Sequence, residues 1–205
     1  MNHGWQVANL KTQIWWQLGE PSVMKPHGTR PENFGKGQNH GGFQIAKAIA
    51  QNDPNRVVAL VATGDPGKPM SNWEPVGEHY WEVKDKVEKA LNALPNKDQV
   101  DLIWWMQGET DSRDTQEYED SLYNLIDRFR SESWFSFKDL FIANETARDP
   151  INNLFRRLDT DSDPNTCFSE GEGLPTTSDG VHFKAEAFRM IGRFVANKYL
   201  DRCGK

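Results

Sequence analysis

The sequence predicts an α/β fold, a three-layer α/β/α sandwich on a mainly parallel sheet, and three observations carry that prediction. Short β-branched or aromatic runs alternate with segments of helical periodicity. Each run ends in a polar or glycine-bearing loop. No internal repeat, low-complexity tract or interdomain linker interrupts the pattern. Crossovers in such a sheet are expected to be right-handed. At 205 residues the chain is long enough for one domain, 1–205, with a substantial core.

From Phe43 to Gln51 the apolar positions Phe43, Ile45, Ala46, Ile49 and Ala50 suit a short helix, which Asn52-Asp53-Pro54 terminates. Val57–Ala62 is a β-branched run ending in Gly64-Asp65-Pro66-Gly67, the pattern of a parallel strand buried on both faces. Tyr80, Val83, Val87, Ala90, Leu91 and Leu94 recur at helical spacing, and Pro95 closes that segment. Val100–Trp105 reads as the next strand. Asp114 and Glu117 then form a capping box ahead of the stripe Tyr118, Leu122, Leu125, Ile126 and Phe129. A short strand over Leu140–Ala143, a helix over Ile151–Leu158, and a terminal helix over Ala185–Leu200 with Phe188, Ile191, Phe194 and Val195 inward complete the alternation. The stretch from Pro21 to Gly42 is long for a connection and rich in Gly, Pro, Asn and His; such loops are usually functional or mobile.

Composition narrows the class of function. Hydrophobic content of 37% and a mean hydropathy of -0.76 are on the polar side, yet eight Trp and eleven Phe supply large buried surfaces and argue against disorder. A net charge of -6, a pI near 5.4 and scattered basic residues give no footprint for nucleic acid. No segment approaches the ~18 consecutive apolar residues of a membrane span, so a soluble chain without a membrane partner is expected. Compartment is left open. Cys167 and Cys203 lie far apart and lack zinc-ligand spacing; thiols or one bridge to the C-terminal region both fit.

Chemistry-bearing residues gather in two places. Gln107 and Glu109 fall at the carboxyl end of the Val100–Trp105 strand, where open α/β sheets keep their binding crevices. In Asp179-Gly180-Val181-His182-Phe183, an aspartate and a histidine three residues later suit an oriented base just before a helix. The plain alternative is a turn with a helix-initial histidine. Gln107 carries an amide able to donate to an oxyanion, and Gly64 or Gly67 offers a backbone N–H from the preceding strand's loop. Glu109 is either a second orienter for His182 or a solvated carboxylate beside Asp111. No His or Cys joins those carboxylates at ligand spacing, so neither a metal nor another cofactor is expected. Together these residues suggest a hydrolase.

The resemblance to a known family is carried by three blocks in order, spanning roughly Phe43 to Tyr199. Trp105-Met106-Gln107-Gly108-Glu109-Thr110-Asp111 resembles the Trp-His-Gln-Gly-Glu-Ser-Asp block of the sialate O-acetylesterase and carbohydrate esterase family 6 branch of the SGNH (GDSL-like) hydrolases. Asp179–Phe183 is similar to that family's last block, and Gly67–Trp73 to its Gly-Gly-Thr-Ser-Ile…Trp loop. The resemblance implies a flavodoxin-like sheet and serine-esterase chemistry that removes acetyl groups from an acetylated carbohydrate, with His182 as base and Asp179 as its partner. Gln107 and Gly67 would be oxyanion donors, with Glu109 a second orienter.

The departures are specific. Met106 stands where many relatives carry His, and Pro66 replaces the first glycine of the doublet. Relatives begin with an apolar strand running into Gly-Asp-Ser or Gly-Gln-Ser-Asn, whose serine is the nucleophile, and no such segment precedes Trp5. Ser22, after the strand-like Ile14–Leu18, is the nearest mimic, but Pro21 spoils the turn; the nucleophile stays unassigned. The expectation is a chain that starts after the nucleophile strand, by truncation or divergence. With Met1–Leu10 too poor in apolar residues to replace a central strand, either an incomplete sheet or a homo-oligomer paired through the exposed edge is expected.

A second class of function fits the same residues: a carbohydrate-binding or interaction module that keeps the crevice without turnover. Trp15, Trp16, Trp73, Trp81, Trp104 and Trp105 would offer flat faces to sugar rings, against core or rim packing as the plain reading. Lipid or peptide-ester hydrolysis is a third and weaker fit to the polar loops.

Overall fold

A computed structural model describes residues 5–9, 14–19, 23–27, 41–52, 58–61, 63, 67–94, 97–111, 115–144, 146, 149–158, 165–171 and 173–203, the first three segments by backbone alone. Ser22, the Gly64-Asp65-Pro66 part of the turn and the Asp114 cap lie outside the described residues, as does the side chain of Cys203. Two compact units emerge, one from 1–63 with 184–205 and the other from 64–183.

The first unit holds strands β1 (Trp5–Asn9), β2 (Ile14–Gly19), β3 (Val23–His27) and β4 (Val58–Leu60) with helices α1 (Gly41–Asn52) and α5 (Ala185–Cys203). Its sheet runs β3-β2-β1-β4, and every pairing is antiparallel. Met1–Leu10 therefore supply a strand after all, correcting the expectation of an edge left open there: β1 pairs with β4 from Gln6↔Leu60 to Ala8↔Val58. Backbone hydrogen bonding needs no apolar run, which is why hydropathy missed it. Pro26 sits in β3, an edge strand of this sheet, the place where proline is tolerated. β4 also closes its sheet, so the strand expected to be parallel and buried on both faces is an antiparallel edge strand in which Ala59 is exposed: an edge position leaves one side uncovered.

Helix α1 buries Ile45, Ala46, Ile49 and Ala50, and α5 buries Ala187, Ile191, Val195, Ala196 and Tyr199. The two pack so closely that a Cβ on Gly192 would lie 2.6 Å from Gln44. Phe194, expected inward, is 40% exposed. Ile191 and Val195, expected inward with it, are buried.

The second unit is built on a parallel sheet of order β5-β6-β7: β5 (Leu102–Trp105), β6 (Leu140–Asn144) and β7 (Thr166–Ser169). Helices α2 (Glu78–Ala93), α3 (Thr115–Ser131) and α4 (Asp149–Leu158) join it, with a 3-10 turn over Met70–Trp73. β6 is the middle strand and every residue in it is buried, whereas Leu102, Ile103 and Trp104 of β5 are half-buried. β7 was not foreseen, because Thr-Cys-Phe-Ser lacks the β-branched run of its neighbours, yet all four residues are buried. Cys167, within it, is a buried thiol.

The stripe read for α3 is its core face: Tyr118, Leu122, Leu125, Ile126 and Phe129 are all buried. At the other end of the sheet, the buried Arg130 donates from Nη1 to the carbonyls of Ser136 and Asp139, and from Nη2 to that of Asn165 at 3.3 Å. One guanidinium thereby pins the end of α3 to the residues that lead into β6 and β7. No helix among the described residues is long and apolar enough to cross a membrane.

Candidate active site

Gly67, Gln107, Glu109, Asp179 and His182 all lie in the second unit, Gln107 and Glu109 on the loop after β5, whereas Ser22 falls in the stretch of chain assigned to the first. Thr176 to Phe183 form a closed turn: Thr176 bridges to Phe183, the Thr177 N–H donates to the His182 carbonyl at 2.7 Å, and that of Gly180 to Thr177 at 3.1 Å. Gly180 has φ +68, left-handed backbone that glycine adopts without strain. The turn brings the Asp179 Oδ2 to 2.6 Å from His182 Nδ1. Oδ1 accepts from the Thr177 hydroxyl at 2.6 Å and from the N–H groups of Val181 and His182 at 2.9 and 3.0 Å.

This arrangement sets the electrostatics. The Thr177 hydroxyl first, then the imidazole and the two backbone donors, hold the Asp179 carboxyl well below the usual carboxylate range. The hydrogen bond to Asp179, then that carboxylate's charge, raise the His182 pKa above its ordinary value, and Glu109 adds to the rise. Asp179, not Glu109, holds Nδ1; Glu109 acts through its field.

The signs give a testable pH dependence. The raised imidazole stabilises the fold below its unfolded pKa and loses that effect as pH climbs through the folded value. The lowered carboxyl stabilises above its unfolded pKa and loses that effect as pH falls through the folded one. The pair contributes fully only between roughly pH 4 and 6.5. A base must be neutral, so the acid limb of kcat/KM should lie above the ordinary histidine pKa of about 6.5. Asp179→Asn should move that limb to lower pH, as a pH–rate profile of the two proteins would read directly.

Gln107 follows β5, and its side chain reaches two acceptors. Nε2 donates to the Lys68 carbonyl at 3.1 Å and to Asp111 Oδ2 at 2.6 Å, and the same carboxylate oxygen accepts the Met70 N–H at 3.0 Å. Both N–H bonds of the amide are thus committed in this structure. Gln107 Oε1 is buried and has no hydrogen-bond partner among the described residues. The Gly67 loop and the Gln107 loop are tied to each other by these bonds. Gly67 is exposed with φ +75, and a Cβ there would meet nothing within 4 Å, so glycine is demanded by conformation rather than by crowding.

Two residues read only as helix or loop prove to be structural parts of this site. Tyr118, buried in α3, donates to the Gln107 carbonyl at 2.8 Å and accepts from Trp105 Nε1 at 3.1 Å. Burial pushes its phenol pKa up, so it stays a donor. Asp111 was noticed only as a carboxylate beside Glu109. The signal for Tyr118 was a hydroxyl-bearing residue at the start of an otherwise aliphatic stripe. Tyr118→Phe would leave the Trp105 indole N–H and the Gln107 carbonyl without their partner. It should cost about 1–3 kcal/mol in urea denaturation. Met106, the departure from the family block, accepts a weak contact from Asn144 Nδ2 at 3.9 Å to its sulfur.

Of the tryptophans proposed as sugar platforms, Trp73 and Trp105 are buried and pack ring to ring at 4.8 Å, Trp104 is half-buried, and Trp81 is 54% exposed. Trp15 and Trp16 lie in β2, where only the backbone is described.

An acid-oriented imidazole, a glycine loop and a Gln-Gly-Glu turn are parts of ester-hydrolase machinery. The family model described as "Carbohydrate esterase, sialic acid-specific acetylesterase" matches residues 2–201. The chain belongs to that carbohydrate esterase family. No curated protein sequence matches it. Solved structures do. A protein from Arabidopsis thaliana aligns at a TM-score of 0.66 with 20% identity, over 95% of this chain and 80% of that one. A carbohydrate acetylesterase family member from Sinorhizobium meliloti aligns at 0.58 with 18% identity, over 83% of this chain and 90% of that one. The fold of this carbohydrate esterase family member is therefore the α/β fold of the SGNH hydrolases, as the resemblance of the three blocks implied.

Proposed function

We propose that this chain is an ester hydrolase that releases acetate from O-acetylated carbohydrate of the sialate or xylan type, with His182 as general base and Asp179 as its orienting partner. The observation that carries this reading is the 2.6 Å contact between His182 Nδ1 and Asp179 Oδ2. It fixes the tautomer that leaves Nε2 to take a proton from a hydroxyl nucleophile and later return it to the departing sugar oxygen. A serine is the nucleophile that family membership calls for, and Ser22 is the candidate the sequence offers. The Gly67 loop supplies backbone N–H donors to the tetrahedral oxyanion, and Glu109 supports the imidazolium that forms beside it.

Acetate release from p-nitrophenyl acetate and from acetylated xylo-oligosaccharides, measured with the present chain and with Ser22→Ala, tests the reading. Turnover that Ser22→Ala removes identifies the nucleophile. Saccharide binding with no acetate released by the unaltered chain would instead select a binding module.

A further inference from the structure

The geometry points to a saccharide-binding cleft along the flank of α3 that takes a neutral oligosaccharide chain, with Trp81 as its stacking platform at the rim. The binding itself does not depend on the esterase reading above; its consequence for turnover rests on that reading.

Beside the core stripe of α3 runs a second one, Glu117, Ser121, Asn124, Arg128 and Ser131, at the same three-and-four spacing, and it lines an open groove. A cleft of about 460 Å³ lies between this stripe and the segment from Trp73 to Pro75. A smaller hollow of about 220 Å³ extends toward Met70 and Asp111, which are bonded to each other beside Gln107. Glu74 and Ser121 line both spaces, and the 3.0 Å hydrogen bond between their side chains forms the sill that joins them. From Glu117 to Ser131 the helix runs roughly 20 Å, at about 1.5 Å per residue, which is room for several linked sugars.

The lining suits a sugar chain. Asn124 and Asp127 are exposed, and their side chains have no hydrogen bond or ion pair among the described residues. Arg128 is held by donation from Nη1 to the Trp73 carbonyl at 2.9 Å and by stacking 3.5 Å from the centre of the Tyr80 ring, yet no carboxylate among the described residues pairs with it. Planar groups that donate or accept in pairs match neighbouring hydroxyls on a sugar ring, and an aromatic face matches the ring's C–H side. Trp81 supplies that face. Its Nε1 donates to the Pro75 carbonyl at 3.2 Å, which pins the ring beside the cleft, while 54% of the residue stays open to solvent. Arg128 lies 5.9 Å from the same ring, so platform and polar lining are within reach of one saccharide. Charge decides the kind of saccharide. Glu74, Asp111, Glu117 and Asp127 outnumber Arg128 along the groove, so a chain of carboxylate-bearing sugars is repelled where a neutral one is accepted.

Titration of the full chain with xylohexaose and with mannohexaose, both free of acetyl groups, tests the cleft without turnover. Followed by NMR, the Trp81 indole N–H and the Asn124 carboxamide should shift together. Trp81→Ala and Asn124→Ala should each weaken that binding roughly three- to tenfold, whereas Gln116→Ala, on the same helix outside the cleft, should leave it unchanged. A trimer of sialic acid should bind at least about threefold more weakly than the neutral chains. With acetylated substrates, kcat/KM for xylohexaose should exceed that for xylose by roughly tenfold or more, and Trp81→Ala should shrink that ratio. No shift with either neutral hexaose overturns the inference, and so does binding that neither substitution weakens. Equal or tighter binding of the sialic acid trimer overturns the preference for a neutral chain. Binding without acetate release would defeat the esterase reading alone; acetate release without binding would defeat the cleft alone.

Discussion

Alanine at His182 should lower kcat for acetate release by roughly 10²–10⁴-fold, the contribution of a positioned general base, while thermal unfolding stays near that of the unaltered protein. The second half of the expectation follows from exposure: the imidazole is 79% exposed, and its described side-chain partner is the Asp179 carboxylate. Asp179 is different. Its Oδ1 also holds the Thr177 hydroxyl and two backbone N–H groups, so Asp179→Ala should loosen the whole turn from Thr177 to His182. The contrast between the two variants separates chemistry from architecture. A His182→Ala protein that hydrolyses p-nitrophenyl acetate at the unaltered rate would remove this histidine from the mechanism.

The largest stability effect is expected at Gly108, in the middle of the Gln-Gly-Glu turn. Its φ of +137 is a conformation side chains rarely adopt, and a Cβ there would lie 2.6 Å from the Ile151 Cγ2. Ile151 is wholly buried in α4 and has little room to withdraw. Gly108→Ala therefore combines backbone strain of about 1–3 kcal/mol with overpacking of about 1–3 kcal/mol. For a chain of this length each kcal/mol lowers Tm by about 2–4 °C, so a fall of roughly 5 °C or more is expected by calorimetry. An unchanged Tm would mean that α4 does not press on this turn.

The sequence made this glycine visible as part of a motif without revealing what crowds it. The same division runs through the molecule. Helices with a clear apolar stripe were readable, because a 3.6-residue period names the buried face directly; all five positions picked for α3 are buried. β6 was equally plain, being aliphatic and central. β1 and β7 were not, since pairing partners and burial come from residues far away in the chain. At the site, Asp179 and His182 are close in sequence and their contact could be anticipated from spacing. The bonds from Gln107 to Lys68 and from Asp111 to Met70 span 39 and 41 residues and could not. Residue chemistry suggested a donating amide; only the distant carbonyl and carboxylate show where its protons go.

The two units are not consecutive stretches of chain: residues 64–183 lie between the two parts of the other unit. During synthesis the inner unit has all its strands and helices in hand once Phe183 has left the ribosome, but α1 must wait for α5. Until then Ile45, Ala46, Ile49 and Ala50 have no Ile191 or Val195 to cover them, a period in which a nascent chain is exposed to misassembly and chaperone capture. The hinge of that late closure is Gly192, whose missing side chain lets the last helix settle against Gln44.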